Sequence, residues 1–476
     1  MEVRISELPQ IADAEFCVIG TGPAGLTCAL ALAAAGRKVF LAEGGGEQFS
    51  EDSQDLYRGE VIGDPYFALD ACRLRFFGGT SNHWNGWCRR LDDIDFQGKG
   101  PERIGHWPIT RNDLEPFFDR AASILEISTS SEDSELKNSG LKLISFTFSP
   151  PVRFNEKYLD QVRRNKNIRL CLNCNFVNFE NSGGSIQAAV FANASGSPTK
   201  LSAKTYILCA GGIENSRLLA WSNVLANGEL LRGSAQQLGT RWSDHPHFAM
   251  GEAIINTEWN FRSGYNGMQF FAPIPRFMAE NDTLNCGLRL GVNPDKNEAR
   301  KLVQDLMGAA PGISDWVCSN FEKGTLCAAK LRAAWEQEPR VQNRVALSSK
   351  KDRFGIPTVK LYWTKTHRDL LTARKTAEAL GLYLAQNNFG RLRLDDWVLR
   401  GDRWPENDWI AGYHHLGGTR MGIEPDDAVV DKNLRLFHCS NAYILGSSVF
   451  PSGGHANPTL TIVQLALRLA EHLVSL

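Results

Sequence analysis

The segment Ala411–Gly422, AGYHHLGGTRMG, sets two adjacent histidines against a glycine-rich turn. Pro451–Leu460, PSGGHANPTL, adds a third histidine and an Asn-Pro-Thr step. Histidine has an ordinary pKa near neutrality, so it suits removal of a hydroxyl proton. A neighbouring amide such as Asn457 suits holding the oxygen that loses it. Residue types alone leave the assignment open. His414 and His415 compete for the first role, His455 competes with Asn457 for the second, and Asn457 also suits the N-cap of a helix beginning at Pro458.

An upstream element supplies the other half of a redox site. Glu15–Gly20 (EFCVIG) reads as a buried strand running into Gly20-Thr-Gly22-Pro-Ala-Gly25. Pro23–Gly36 reads as a helix stopped by glycine, and Lys38–Glu43 (KVFLAE) as a second strand. GxGxxG in this strand–turn–helix–strand setting binds a dinucleotide pyrophosphate at the helix N-terminus, with Glu43 placed to accept from an adenosine ribose. The motif does not by itself separate NAD from FAD. Three further segments lean toward FAD. Phe76–Trp87 (FFGGTSNHWNGW) carries Gly78, Gly79, Thr80, Asn82, His83 and Trp84 in a loop suited to a flat ring. Lys204–Leu219, with Gly211, reads as a second strand–turn–helix. Ala442–Leu473, with Gly446 and Ser447, reads as strand, loop and helix, and Pro458 and Thr459 at its helix start can aim N–H groups at an electron-rich ring edge. Such convergence fits a large bound flavin. A flavin with a proton acceptor suggests a flavoenzyme that oxidises an alcohol.

Bulk properties narrow the class. The chain has 476 residues, long enough for two or three domains, with 43% hydrophobic and 22% charged residues. A formal net charge of −1 argues against nucleic acid or an anionic membrane as main partner. The longest apolar run, Leu26–Ala35, is too short to span a bilayer, and the first residues lack a basic-then-apolar leader. Eleven scattered cysteines fit a reducing cytoplasm, so the expected location is cytoplasmic. Cys171 and Cys174 form the one CxxC, in an apparent strand, and no metal site is expected.

GTGPAG with Glu43, GGTSNHW, CAGGIENSRLL, LGTRWSDHP (Leu238–Pro246), HHLGGTRMG and SGGHANPTLTIVQLA occur in this order. In that order they resemble the glucose-methanol-choline (GMC) flavoprotein oxidoreductases, in particular the pyranose 2-oxidase-like branch. Gly251–Arg400 matches only loosely, anchored by Glu336–Leu347. The resemblance implies His415 as the base and Asn457 as its partner, with hydride transfer to flavin N5. It also implies adenine contact near Val177, and it raises a covalent flavin link through His83 beside the noncovalent alternative. His245 and His247 read as domain packing. Trp84 and Trp87 read as flavin walls or core, and Trp316, Trp335 and Trp363 as sugar-stacking or core residues.

The expected fold class is α/β. A discontinuous Rossmann-like FAD domain comprises 1–100, 150–245 and 411–476, and an α+β substrate domain with an antiparallel sheet comprises 101–149 and 246–410. Lys365–Gln386 is an expected helix on that sheet. The expected function is oxidation of a hydroxyl of a sugar, glycoside or related alcohol to a carbonyl, with oxygen, a quinone or a redox protein as electron acceptor. The alternatives are a nonsugar aliphatic or aromatic alcohol, or non-redox lyase-type chemistry on the same fold.

Overall fold

The computed structural model describes residues 2–11, 14–98, 105–130, 132–193, 195–256, 267–293, 302, 320, 326–401, 404–405 and 412–476. The N-terminal pattern folds as read: strand Phe16–Ile19, helix Pro23–Ala34 and strand Val39–Ala42. Both strands are buried at every position, as parallel strands covered on two faces must be. Pro23 opens the helix, where its missing N–H costs nothing, and Gly36 follows its end at φ 83°. These strands belong to a five-stranded parallel sheet ordered Ala442–Ile444, Thr205–Leu208, Phe16–Ile19, Val39–Ala42, Ile168–Cys171. Chain from both ends therefore meets in one sheet, and the C-terminal helix Thr459–Ser475 packs on the glycine-turn helix. Cys171 and Cys174 are buried free thiols, and no metal-holding cluster occurs among the described residues. Asn181–Ser185 makes the expected hairpin, with Gly183 and Gly184 both at positive φ.

A second, seven-stranded sheet is antiparallel throughout. Its order is Gly390–Leu394, His247–Asn256, Leu326–Trp335, Cys286–Asn293, Met268–Pro273, Leu141–Ile144, Ser134–Leu136. One face, including Phe248, Met250, Leu288, Leu290, Leu331 and Ala333, packs into a core with helix His367–Gln386. That helix starts with a reciprocal cap: Asp369 N donates to Thr366 Oγ1 at 3.2 Å, and Thr366 N to Asp369 Oδ2 at 2.6 Å. Asp369 also accepts the Trp335 indole at 3.2 Å, which draws that ring into the core. Trp335 therefore does not face a sugar. Neither does Trp363, which is 1% exposed and bonds Gln337. Trp316 lies outside the described residues. A third sheet joins Gly59–Gly63 to Pro357–Trp363 and Arg344–Lys351, so the two expected domain intervals share a sheet. Among the described residues no helix is long and apolar enough to cross a membrane.

Candidate active site

A cavity of about 720 Å³ runs from the glycine turn to the polar face of the antiparallel sheet. At one end it is lined by Gly20, Thr21, Gly22, Glu43 and Gly44, with Tyr57, Asn175 and Phe176 nearby. At the other end it is lined by Trp84, Trp87, Phe146, His247, Phe270, Arg289 and Arg332. Between them lie Gly211, Gly212, the doublet His414–His415, Gly446, Ser447, and Asn457, Pro458 and Thr459.

The turn requires its glycines. Gly20 has φ 109°, and a Cβ there would lie 2.4 Å from the Cys209 carbonyl oxygen. A Cβ on Gly25 would lie 1.9 Å from Gly20 O, whereas Gly22 faces open space. The Glu43 carboxylate accepts from Thr21 Oγ1 at 2.5 Å, Thr21 N at 3.2 Å and Gly45 N at 2.8 Å, so it also braces the turn. Two helix N-termini, at Pro23 and Thr459, open on this one cavity. Their first N–H groups lack intrahelical partners and favour anions. An elongated cleft with a glycine cradle and two such termini fits FAD: the first terminus suits the pyrophosphate and the second the ring edge.

Of the sequence-derived cofactor residues, Gly20, Gly22, Glu43, Gly79, Thr80, His83, Trp84, Gly211, Gly446, Ser447, Asn457, Pro458 and Thr459 line the cavity. Gly25, Gly78, Asn82 and Val177 do not. Gly25 packs on Gly20, and Asn82 Nδ2 bonds Phe77 O at 2.8 Å. Gly78, at φ 91°, starts the loop's short helix, and the neighbours Cys174, Asn175 and Phe176 take the place expected of Val177. His83 is exposed beside Tyr413, and partial desolvation, then the Arg153 charge, lowers its pKa.

The histidine doublet, which follows Tyr413 at φ 51°, resolves into two environments. Asn457 Nδ2 donates to His414 Nε2 at 3.0 Å, and His414 Nδ1 lies 2.8 Å from His245 Nδ1. With Nε2 accepting, the neutral His414 ring carries its proton on Nδ1 and donates it to His245. His415 is not in this chain. Its ring is tilted against Trp242 and Tyr66, its Nε2 has no hydrogen-bond partner among the described residues, and its carbonyl accepts from Ser447 Oγ at 2.6 Å. Asn457 therefore joins His414 rather than His415. Asn457 also does not cap the helix, whose N-cap is Pro458.

Burial sets the protonation states. It holds His414 well below 6.5, with the neighbouring His245, His247 and His415 adding to the effect. Burial and then Arg73 bring His415 to about 3, and burial and then His455 bring His245 to about 3. All three are neutral at neutral pH. Asp244 fixes two of them through the backbone: its Oδ1 accepts from His245 N at 2.7 Å and His414 N at 2.8 Å, and its Oδ2 accepts the Tyr66 hydroxyl.

His245 and His247, expected as packing residues, both line the cavity. Asp244, Arg289 and Arg332 were not among the expected site residues. The arginines leave a signal in CGLRLGVN and AAKLRAAW, where a cation alternates with apolar residues as on a strand with one core face.

Residues 339–466 match the GMC oxidoreductase family and residues 15–53 match the FAD binding domain family. The chain is 26% identical over 280 residues to the fructose dehydrogenase large subunit of Gluconobacter japonicus, covering 57% of this chain and 47% of that one. It is 29% identical over 171 residues to the C-glycoside 3-oxidase of Microbacterium trichothecenolyticum, covering 35% and 28%. The chain thus spans less than half the length of these curated relatives. Pyridoxine 4-oxidase from Mesorbium loti shares the fold at TM-score 0.60 and 17% identity, over 96% of this chain and 99% of that one.

Proposed function

We propose, from the premise that the chain belongs to the GMC oxidoreductases and carries an FAD-binding domain, that it oxidises a hydroxyl of a sugar, glycoside or related alcohol to a carbonyl. The observation that carries this reading is the His245–His414–Asn457 chain set in the wall of the cavity that accommodates FAD. Bound FAD supplies the acceptor for the carbinol hydride. Gly20, Gly22, Glu43, Gly79 and Thr80, with the two helix N-termini, would hold it.

The contact with Asn457 supports His414 as the base, in place of His415. Asn457 Nδ2 gives up its hydrogen bond to His414 Nε2 in favour of the substrate oxygen, and the Nε2 lone pair so freed accepts the hydroxyl proton. A proton taken at Nε2 creates a cation in a buried site, and His245 stabilises it by accepting from Nδ1. Asp244 keeps this geometry by tying down the His245 and His414 backbone amides. His415 also lines the cavity, its ring lies against Trp242 and Tyr66, and its carbonyl positions Ser447.

Anaerobic mixing of the flavin-loaded protein with sugars, glycosides and simple alcohols tests the reading. Bleaching of the flavin by a member of the panel is expected. A flavin that dithionite bleaches and no alcohol does would overturn it.

A further inference from the structure

Arg289 and Arg332 are register partners on adjacent antiparallel strands, so their side chains leave the same face of the sheet side by side. That face lines the cavity, and both arginines are in its wall. Like charges directly opposite each other weaken a ladder. No carboxylate among the described residues pairs with either guanidinium. Acidic groups in the vicinity are engaged elsewhere: Glu252 with Arg393, and Asp92 with Arg89 and Lys142. Arg289 lies over the Trp87 ring, 5.3 Å from its centroid. Burial, then the Arg332 charge, lowers the Arg289 pKa only to about 10, so it stays a cation at neutral pH. His247, in the same wall, is held neutral by burial and by the two arginines.

The pair also stands at a defined place relative to the reacting groups. Gly287 and Ala334, two residues along the same strands, are register partners facing the same way. A Cβ on Gly287 would lie 2.8 Å from His455 Nδ1, so the His455 ring rests on that row. Two residues of strand span about 7 Å. The arginines are therefore one such step from His455, which is two positions from Asn457 in the turn. His245, which leads into the strand beside them, bonds His414. Trp87, Phe146 and Phe270 line the same end and offer apolar surface to a carbon skeleton.

We propose that Arg289 and Arg332 form an oxyanion subsite, and that the alcohol oxidised beside His414 and Asn457 carries a carboxylate or phosphate group at its other end. Two guanidinium forks present paired donors that match either oxyanion, and the anion supplies the countercharge the protein omits. The proposal rests on the reading that alcohol oxidation takes place in this cavity.

Equilibrium calorimetry under nitrogen on the flavin-loaded protein, with its flavin reduced beforehand so that no hydride can be accepted, tests it without turnover. The probes are gluconate against glucitol and glucose 6-phosphate against glucose, which separate a carboxylate from a phosphate source. At least one anion should bind ten times more tightly than its neutral counterpart, and the Arg289→Gln/Arg332→Gln protein should lose that margin. Arg289→Lys, which keeps the charge but not the fork, should also reduce it, and serves if the double variant fails to fold. No margin in the wild type, or one that survives the substitutions, overturns the proposal. The two readings fail separately. An anion margin without bleaching by any alcohol leaves the subsite and removes the oxidation, whereas bleaching by neutral alcohols without an anion margin removes the subsite alone.

Discussion

Replacing Asp244 by asparagine should preserve the hydrogen bonds that hold the histidines while removing a buried charge. Asp244 is 3% exposed, and its Oδ1 takes both backbone amides while Oδ2 takes the Tyr66 hydroxyl. An asparagine carbonyl can accept the same two amides, and its NH2 can donate to the Tyr66 oxygen. Burial raises the Asp244 carboxyl from 3.8 to about 6 in spite of its three donors. A carboxyl whose folded pKa exceeds its unfolded one favours the fold most below the unfolded value, and loses that contribution as pH rises through about 6. At about 1.4 kcal/mol per pH unit the whole step is worth about 3 kcal/mol, of which about 1.4 kcal/mol falls between pH 5 and pH 8. His245, His247 and His415, all held low by burial, titrate in both proteins, so the difference between wild type and Asp244→Asn isolates the carboxyl. Urea unfolding of the flavin-loaded proteins across this range should show the variant gaining about 1.4 kcal/mol on wild type as pH rises. Asp244→Ala strands two amides and a hydroxyl, at about 1–3 kcal/mol each before relaxation, and should be destabilised at every pH. A difference that stays flat with pH, or an asparagine as damaging as alanine, refutes the reasoning.

His414→Ala should slow flavin reduction by the best alcohol by about 10²–10⁴-fold, the usual contribution of a general base, and His415→Ala by less; the reverse order in stopped-flow measurements would return the role to His415. Because burial holds His414 well below 6.5 and its neutral form is the base, the acidic limb of kcat/KM should lie below pH 6.5, and a limb centred above it would contradict this assignment. Gly25→Ala would place a Cβ 1.9 Å from Gly20 O, so the purified protein should carry a reduced flavin-to-protein ratio and lose stability by at least about 1–3 kcal/mol; an unchanged ratio counts against the fit of the cradle. Acid precipitation should release the yellow chromophore into the supernatant, whereas colour retained in the pellet assigns a covalent link through His83.

The cofactor end of the molecule was legible in the sequence because its chemistry is local. Gly20, Gly22 and Gly25 act through backbone conformation and close approach within one turn, and the buried strands around them are short apolar runs that periodicity detects. The helix end at Gly36 was likewise written in a single residue, whereas the helix expected over Lys365–Gln386 starts at His367 behind its Thr366 cap. What the sequence by itself determined is therefore the parallel-sheet framework, the flavin cradle and the short list of histidines near Asn457. Only the tertiary structure decided which member of the doublet meets Asn457. The ring facing Asn457 is held by Asp244 and His245, about 170 residues away in sequence. The tertiary structure also drew Trp335 and Trp363 into core through Asp369 and Gln337, and set Arg289 beside Arg332. Strand register is a long-range property, and no spacing along the chain records which cation will stand opposite which.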